Sequence, residues 1–318
     1  MNLFYRDKKN NLKLTTKVIS VILSVLMFFS AFPIVSPAEE IPDTENENNE
    51  PVVVQELEEE RNENTKHFLM SDQTVKAVVY SEPVHYEENG KWLDIDNSLE
   101  YEKETSGDDF NGYKTKNGDF DVKFAKNANS SKLITISKDK YSLSWNLLNK
   151  AKAISGLKKI DIEEADQDAA EIEKSVSNTS QSVCYENIIA DTDLEYTVNG
   201  NGLKENIIVK KPADSYTYSF EISAKYLTLS LQEDNSILAS DSKSGECVYT
   251  IPTMFMIDSN GKYSNDISVS LEQKNKNKYI LNIDASSDWI NEEDRAFPVI
   301  IDPQITTQQV KKNIFSTY

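Results

Sequence analysis

The sequence predicts an all-β protein: antiparallel β-sandwich-like regions with a short charged helical insertion, set behind a signal peptide and an acidic linker. Three observations carry that expectation. From Thr74 onward, short runs of Val, Ile, Tyr, Phe and Thr are separated by turn signals, as in antiparallel sheets. Several runs, YSLSWNL and YTYSFEI among them, place large apolar side chains at every second position, the two-residue period of a strand. The first 38 residues have a quite different pattern.

Arg6, Lys8, Lys9, Lys13 and Lys17 precede an apolar run from Val18 to Val35, and Ser36 and Ala38 follow it. A charged, then apolar, then small-residue order is that of a secretory signal peptide, and residues 1–38 are assigned to one. The run approaches the ~20 residues of a membrane-spanning helix. Pro33 and Pro37 break a helix there, so cleavage after Ala38 is expected, with no stable membrane insertion afterwards. The net charge is −19, which argues for solubility and for calcium as a conceivable ligand, and against nucleic acid and anionic lipid as partners.

Residues 39–66 are acidic, rich in Asn and poor in aromatics, the composition of a flexible linker. Within them, 52–64 has a composition compatible with a short helix, but its expected role is that of a tether. Residues 67–148 form the first expected β region, in which Asn89-Gly90 is a hairpin signal. In YSLSWNL, Tyr141, Leu143, Trp145 and Leu147 fall on one face. Residues 149–180 interrupt the pattern with Ala, Glu and Lys at helix-favouring density, and are read as a charged, partly helical insertion. A second β region spans 181–303. It contains the glycine-rich turn Asn199-Gly200-Asn201-Gly202, and Ser287 is the expected cap of a helical turn in DWINEEDR. Pro298 and Pro303 bracket a last apolar run; because proline donates no hydrogen bond, an edge or closing strand is expected there. Residues 304–318 read as a truncated linker.

The residues with chemical potential are few. Only His67 and His85 could act as an imidazole base, and neither accompanies a nucleophile motif. No H-E-x-x-H or C-x-x-C marks a zinc site. Carboxylates recur at two-residue spacing: Asp94 and Asp96, Asp119 and Asp121, and Asp191, Asp193 and Glu195. Each set shares a strand face, mostly as a solvated surface, and the last is a candidate calcium site. Trp92 and Trp145 are candidates for stacking on a glycan, against the more ordinary role of core aromatics. Cys184 and Cys247, the only cysteines, are a candidate disulfide in an exported chain.

The words RNENTKHFLMSDQTVKAVVYSEPVHYEENGKWLDIDNSL, GNGLKENIIV and DRAFPVIIDP carry a further resemblance. The chain resembles, over roughly residues 56–306, the N-terminal region of secreted, wall-associated proteins of Gram-positive bacteria. In those proteins the region precedes a DNRLRE-type β domain and often RHS (YD) repeats. The resemblance implies an extracellular, all-β, non-catalytic region and supplies no catalytic residues to carry over; any toxin activity of RHS proteins belongs to their far C-terminus. A DNRLRE domain would begin just after IDPQIT, where TQQVKKNIFSTY stands instead.

Together these observations lead to the expectation of a cell-surface structural or interaction module that is not an enzyme. Its partners would be downstream domains of the same polypeptide or cell-wall polysaccharide, without nucleic acid and without a required cofactor. A polysaccharide-binding module is the second expectation. A carboxylate-dependent glycoside hydrolase is the third, and requires two acids facing each other across a cleft.

Overall fold

The computed structural model describes residues 51–103, 110–150, 158–160, 172, 175–176, 178–200, 202–302 and 304–307. The expected signal peptide, most of the charged insertion and the end of the expected C-terminal linker lie outside the described residues. The chain divides into two compact units, which meet in sequence at Leu93 and Asp94.

The first unit contains β1 (Val53–Glu56), β2 (Thr65–Met70), β3 (Val75–Val79), β4 (His85–Glu88) and β5, which begins at Lys91 and runs to Asp94. β1, β2 and β3 form an antiparallel three-stranded sheet, and β4 and β5 a hairpin. Asn89 and Gly90 have φ values of 53° and 77°, the left-handed pair that a tight two-residue hairpin requires. The segment 52–64, expected as part of a flexible linker, is instead folded, as β1 and a single 3-10 turn over Glu58–Glu60. β-branched residues in PVVVQ favour the strand, and Glu56 at its end is held by two cationic side chains, with an imidazole beside them. Arg61 Nε lies 2.7 Å from its Oε1, Lys66 Nζ 3.2 Å from its Oε2 and His85 Nε2 3.8 Å from Oε1. Burial alone would raise the Glu56 carboxyl, but the Arg61 hydrogen bond and the Lys66 and Arg61 charges hold it below its usual range.

The second unit continues with β6 (Asp96–Lys103), β7 (Asn111–Asn117), β8 (Asp121–Ala125), β9 (Ile134–Lys138), β10 (Tyr141–Leu147), β11 (Lys158–Ile160), β12 (Ser180–Ile189), β13 (Thr192–Asn199) and β14 (Gly202–Val209). Then come β15 (Thr217–Lys225), β16 (Leu227–Leu231), β17 (Ile237–Asp241), β18 (Cys247–Ile251), β19 (Phe255–Ile257), β20 (Tyr263–Ser264), β21 (Ile267–Asn275) and β22 (Lys278–Ala285). A short helix α1 (Ser287–Ile290) precedes β23 (Val299–Asp302) and β24 (Gln304–Thr307). Its cap is Ser286 rather than the expected Ser287: the Ser286 hydroxyl accepts from Trp289 N.

One antiparallel sheet has eight strands in the order β21-β22-β15-β10-β9-β8-β7-β6. The other has eleven, with β11-β12-β13-β14-β24-β18-β17-β16 as its path and β19, β20 and β23 attached beside it. Alternation assigns the inner faces. On β13 the buried residues are Thr192, Leu194, Tyr196 and Val198, and on β15 they are Tyr218, Phe220, Ile222 and Ala224. Inner faces of both sheets supply a single apolar core, the arrangement of a β-sandwich. Buried tyrosines tie the layers: Tyr185 Oη of β12 donates to Ala125 O of β8 at 2.6 Å, and Leu229 N of β16 donates to Tyr279 Oη of β22 at 3.3 Å. The all-β, sandwich-like class expected from the sequence is the one observed.

The expected partition into 67–148 and 181–303 is not the observed one. β10 pairs with β15 from Ser142 to Leu147, Trp145 opposite Ile222, so strands from either side of the charged insertion share one sheet. Nor is the run between Pro298 and Pro303 an edge strand. Ile301 pairs with Ile207 of β14 on one side and Met256 of β19 on the other. Pro298 stands before the paired run and Pro303 after it, so all four residues of β23 retain the N–H groups that an interior strand needs. β24 likewise extends the sheet into the expected linker, pairing with β14 and β18.

At one point the sheet admits no side chain. Gly112 of β7 lies opposite Ala125 of β8, where a Cβ would collide with the Phe124 carbonyl oxygen and stand 2.9 Å from Phe110 Cζ. Gly112→Ala is expected to destabilise the fold by about 1–3 kcal/mol through overpacking. Urea denaturation reads this as a lowered midpoint, and an unchanged midpoint would contradict so close an approach.

Candidate functional site

The two-residue period of β14 turns an unusual residue inward. In GLKENIIV the buried positions include Leu203, Glu205, Ile207 and Val209, while Lys204, Asn206 and Ile208 face outward. Glu205 is therefore a carboxylic acid on a core face, 5% exposed. Tyr196 of β13 sits directly opposite it in register. From the facing sheet, β10 brings Trp145, whose Nε1–H is shared between Glu205 Oε2 and the Tyr196 hydroxyl, each at 3.1 Å. Tyr196 is packed in turn against Phe124, Trp145 and Tyr185, with ring centroids 6.0–6.4 Å apart.

Burial raises the Glu205 carboxyl to about 7; the hydrogen bonds from Tyr196 and Trp145 favour the charged form but only partly offset it. The Tyr196 hydroxyl is pushed far upward, first by burial and then by the neighbouring carboxylate, so it stays neutral. Beside the cluster lies a cavity of about 30 Å³ between the two sheets, walled by Leu143, Phe220, Leu229, Ile251 and Met254 together with Trp145 and Glu205. Such a centre can hold or release one proton near neutrality inside an apolar enclosure.

The candidate residues named from the sequence lie elsewhere. Asp191, Asp193 and Glu195 do not form a calcium cage. Asp191 pairs with Lys211 Nζ at 2.8 Å. Asp193 takes Lys210 Nζ and Asn187 N, each at 2.6 Å, and Glu195 accepts from Asn206 Nδ2 at 3.0 Å. Oxygens a cation would need are directed at lysines and amides. The facing acids required for glycoside hydrolysis are not assembled from the named set either. Asp94 and Asp191 are exposed. Asp96, on β6 of the eight-stranded sheet, pairs with Lys116 at 3.3 Å, whereas Asp193 is on β13 of the other sheet. Asp119 pairs with Lys138, and Asp121 is exposed.

Trp145 cannot stack on a glycan, because it is enclosed in the core; Trp92 is half-buried on β5. Cys184 and Cys247 are free thiols. They stand on β12 and β18, four strands apart in one sheet, hence roughly 19 Å at ~4.8 Å per strand, well beyond disulfide reach. Burial, reinforced by Asp193, Glu195 and Glu186, pushes the Cys184 thiol up to about 12, which leaves it unreactive.

With this geometry established, comparison with known proteins adds the following. The chain is 29% identical over 269 residues to the tRNA3(Ser)-specific nuclease WapA of Bacillus spizizenii, covering 82% of this chain and 11% of that protein. The same identity and coverage hold for the tRNA nuclease WapA of Bacillus subtilis. A wall-associated protein of Geobacillus stearothermophilus is 26% identical over 229 residues, covering 71% of this chain and 84% of that protein. The chain is similar to wall-associated proteins. It spans 11% of the length of the nuclease relatives. No protein-family model and no solved structure matches it.

These names overturn two expectations. The chain was expected not to be an enzyme and to have no nucleic-acid partner, yet the relatives sharing most of its length are named as nucleases of tRNA. The expectations rested on two histidines without a catalytic motif, on a charge of −19 and on the resemblance to a non-catalytic region, all of which describe this stretch and not the much longer relatives. Similarity to a wall-associated protein agrees with a cell-surface location. Among the described residues no helix is long and apolar enough to cross a membrane.

Proposed function

We propose that this chain is the wall-associated β-sandwich segment of a secreted protein of the tRNA nuclease type, with tRNA as the substrate of the polypeptide that carries it. The observation that supports this is the similarity over 82% of the chain to nucleases named for tRNA. In that polypeptide the segment would stand ahead of DNRLRE-type and RHS-type regions, as the family resemblance carried by GNGLKENIIV and DRAFPVIIDP implies. Its role there is to provide a folded extracellular platform, with the signal peptide at 1–38 as the export address.

An antibody against residues 94–302 tests the proposal on the native protein. The captured polypeptide is expected in the cell-wall fraction and is expected to cleave purified tRNA. Recovery from the cytoplasm alone, or a captured polypeptide that leaves tRNA intact, would overturn it.

A further inference from the structure

We propose that Glu205 and the cavity beside it form a proton-controlled hydration switch between the two sheets of the sandwich. With the carboxyl protonated the cavity is dry and the sheets are closed; loss of the proton to bulk solvent draws water into the cavity and loosens β14 from β10. This inference stands apart from the nuclease proposal, since it rests only on the interior of the second unit.

An ionised carboxylate offers about four acceptor sites, and among the described residues the donors that reach Glu205 are Trp145 Nε1 and the Tyr196 hydroxyl. Among the described residues no lysine or arginine contributes to its titration. Tyr196 of β13 is the titratable group facing it, with Tyr185 of β12 behind, and both phenols are held neutral by burial. From the remaining strands around the cavity, Phe220 of β15, Leu229 of β16, Ile251 of β18 and Leu281 of β22 present only hydrocarbon. Against the described residues, a charge formed there has unmet demand that water can fill.

Space for that water exists. The cavity of about 30 Å³ holds one or two molecules. Walls so largely apolar offer a water too few polar partners while the acid is neutral, whereas the carboxylate is a strong acceptor. Because Trp145 belongs to one sheet and Glu205 to the other, hydration at this point acts on the seam between the layers.

Two measurements on the intact chain test the switch. In NMR, the Trp145 indole N–H, assigned with Trp145→Phe, is expected to titrate with a midpoint near neutrality, and to stay still in Glu205→Gln. Backbone hydrogen exchange in β10 and β14, corrected for intrinsic pH dependence, is expected to rise by about tenfold or more between roughly pH 5.5 and 8.5. In Glu205→Gln it should remain flat. A wild-type protein with neither change, or a variant that retains both, would overturn the proposal. Tyr196→Phe supplies a second check should the glutamine variant fold poorly. It removes a donor to the carboxylate, so the midpoint should move upward, and an unmoved midpoint counts against the switch.

Discussion

Arg295→Ala is expected to destabilise the sandwich by about 3–5 kcal/mol, the usual cost of leaving a buried charge without its partner. Arg295 and Asp258 form an ion pair at 3.2 Å whose side chains are 1% and 0% exposed. The guanidinium is used on every side. Its Nε donates to Trp289 O at 2.9 Å and an Nη to Glu292 at 2.6 Å, while its plane lies 3.4 Å from the centre of the Trp289 ring. Asp258 also accepts from the backbone N–H groups of Asn260, Lys262 and Ala296. Burial would raise its carboxyl, but these backbone bonds and Arg295 hold it below the ordinary range. The clamp thus fixes the approach to β23 against the turn after β19. Urea denaturation should show the loss as a lower midpoint. Arg295→Lys keeps the charge without the planar fork or the stacking, and should recover only part of the stability. A loss below about 1 kcal/mol in the alanine variant would mean that the clamp is an ornament of the fold.

Stability is also expected to fall as pH rises from about 4.5 to about 7, and Glu205→Gln should abolish that fall. The sign follows from linkage. Glu205 is raised in the folded protein to about 7 from an ordinary 4.5, so the native state binds the proton more tightly than the unfolded chain. Its contribution is complete below the unfolded value and is lost as pH climbs through the folded one. A displacement of that size corresponds to about 3 kcal/mol. Glu56, Asp96 and Asp258 act oppositely, since each is held below its ordinary value. Their contributions are present above the unfolded carboxylate range and disappear as pH falls through the folded one. Maximum stability should therefore lie near the point where these trends cross, mildly acidic at about pH 5. Thermal melts across pH 3–9 check both limbs. A variant and a parent with parallel curves above pH 5 would remove Glu205 from the account.

Much of the sandwich could be read from alternation alone. YSLSWNL and YTYSFEI announce β10 and β15, and the burial of Leu143, Trp145, Phe220 and Ile222 follows from their spacing. The hairpin at Asn89-Gly90 could be read from its turn residues. What escaped is what depends on register between distant segments. Neither the pairing of β10 with β15 nor the placing of β23 between β14 and β19 is written in any local window. The same is true of Arg295 and Asp258, which meet only because β19 and β23 are neighbours. Glu205 is a different case. The period that places Leu203, Ile207 and Val209 inside also places Glu205 there, so applying it strictly to GLKENIIV would have exposed a core acid. It stands alone, outside the repeated carboxylates that the two-residue spacing marks. Repeated acids were instead those of outward faces, where lysines answer them.

The position of β24 bears on when the protein can fold. It stands between β14 and β18, so the ladder that begins at β11 and the ladder that ends at β16 are joined by residues 304–307 and the neighbouring β23. A chain emerging N-terminus first exposes the open edges of β14 and β18 until that stretch has appeared. Pairings of such sequence separation are slow to form, and unpaired edges invite association with other strands. Vectorial synthesis or export would keep the larger unit unfinished, and in need of protection, until residues 299–307 are delivered.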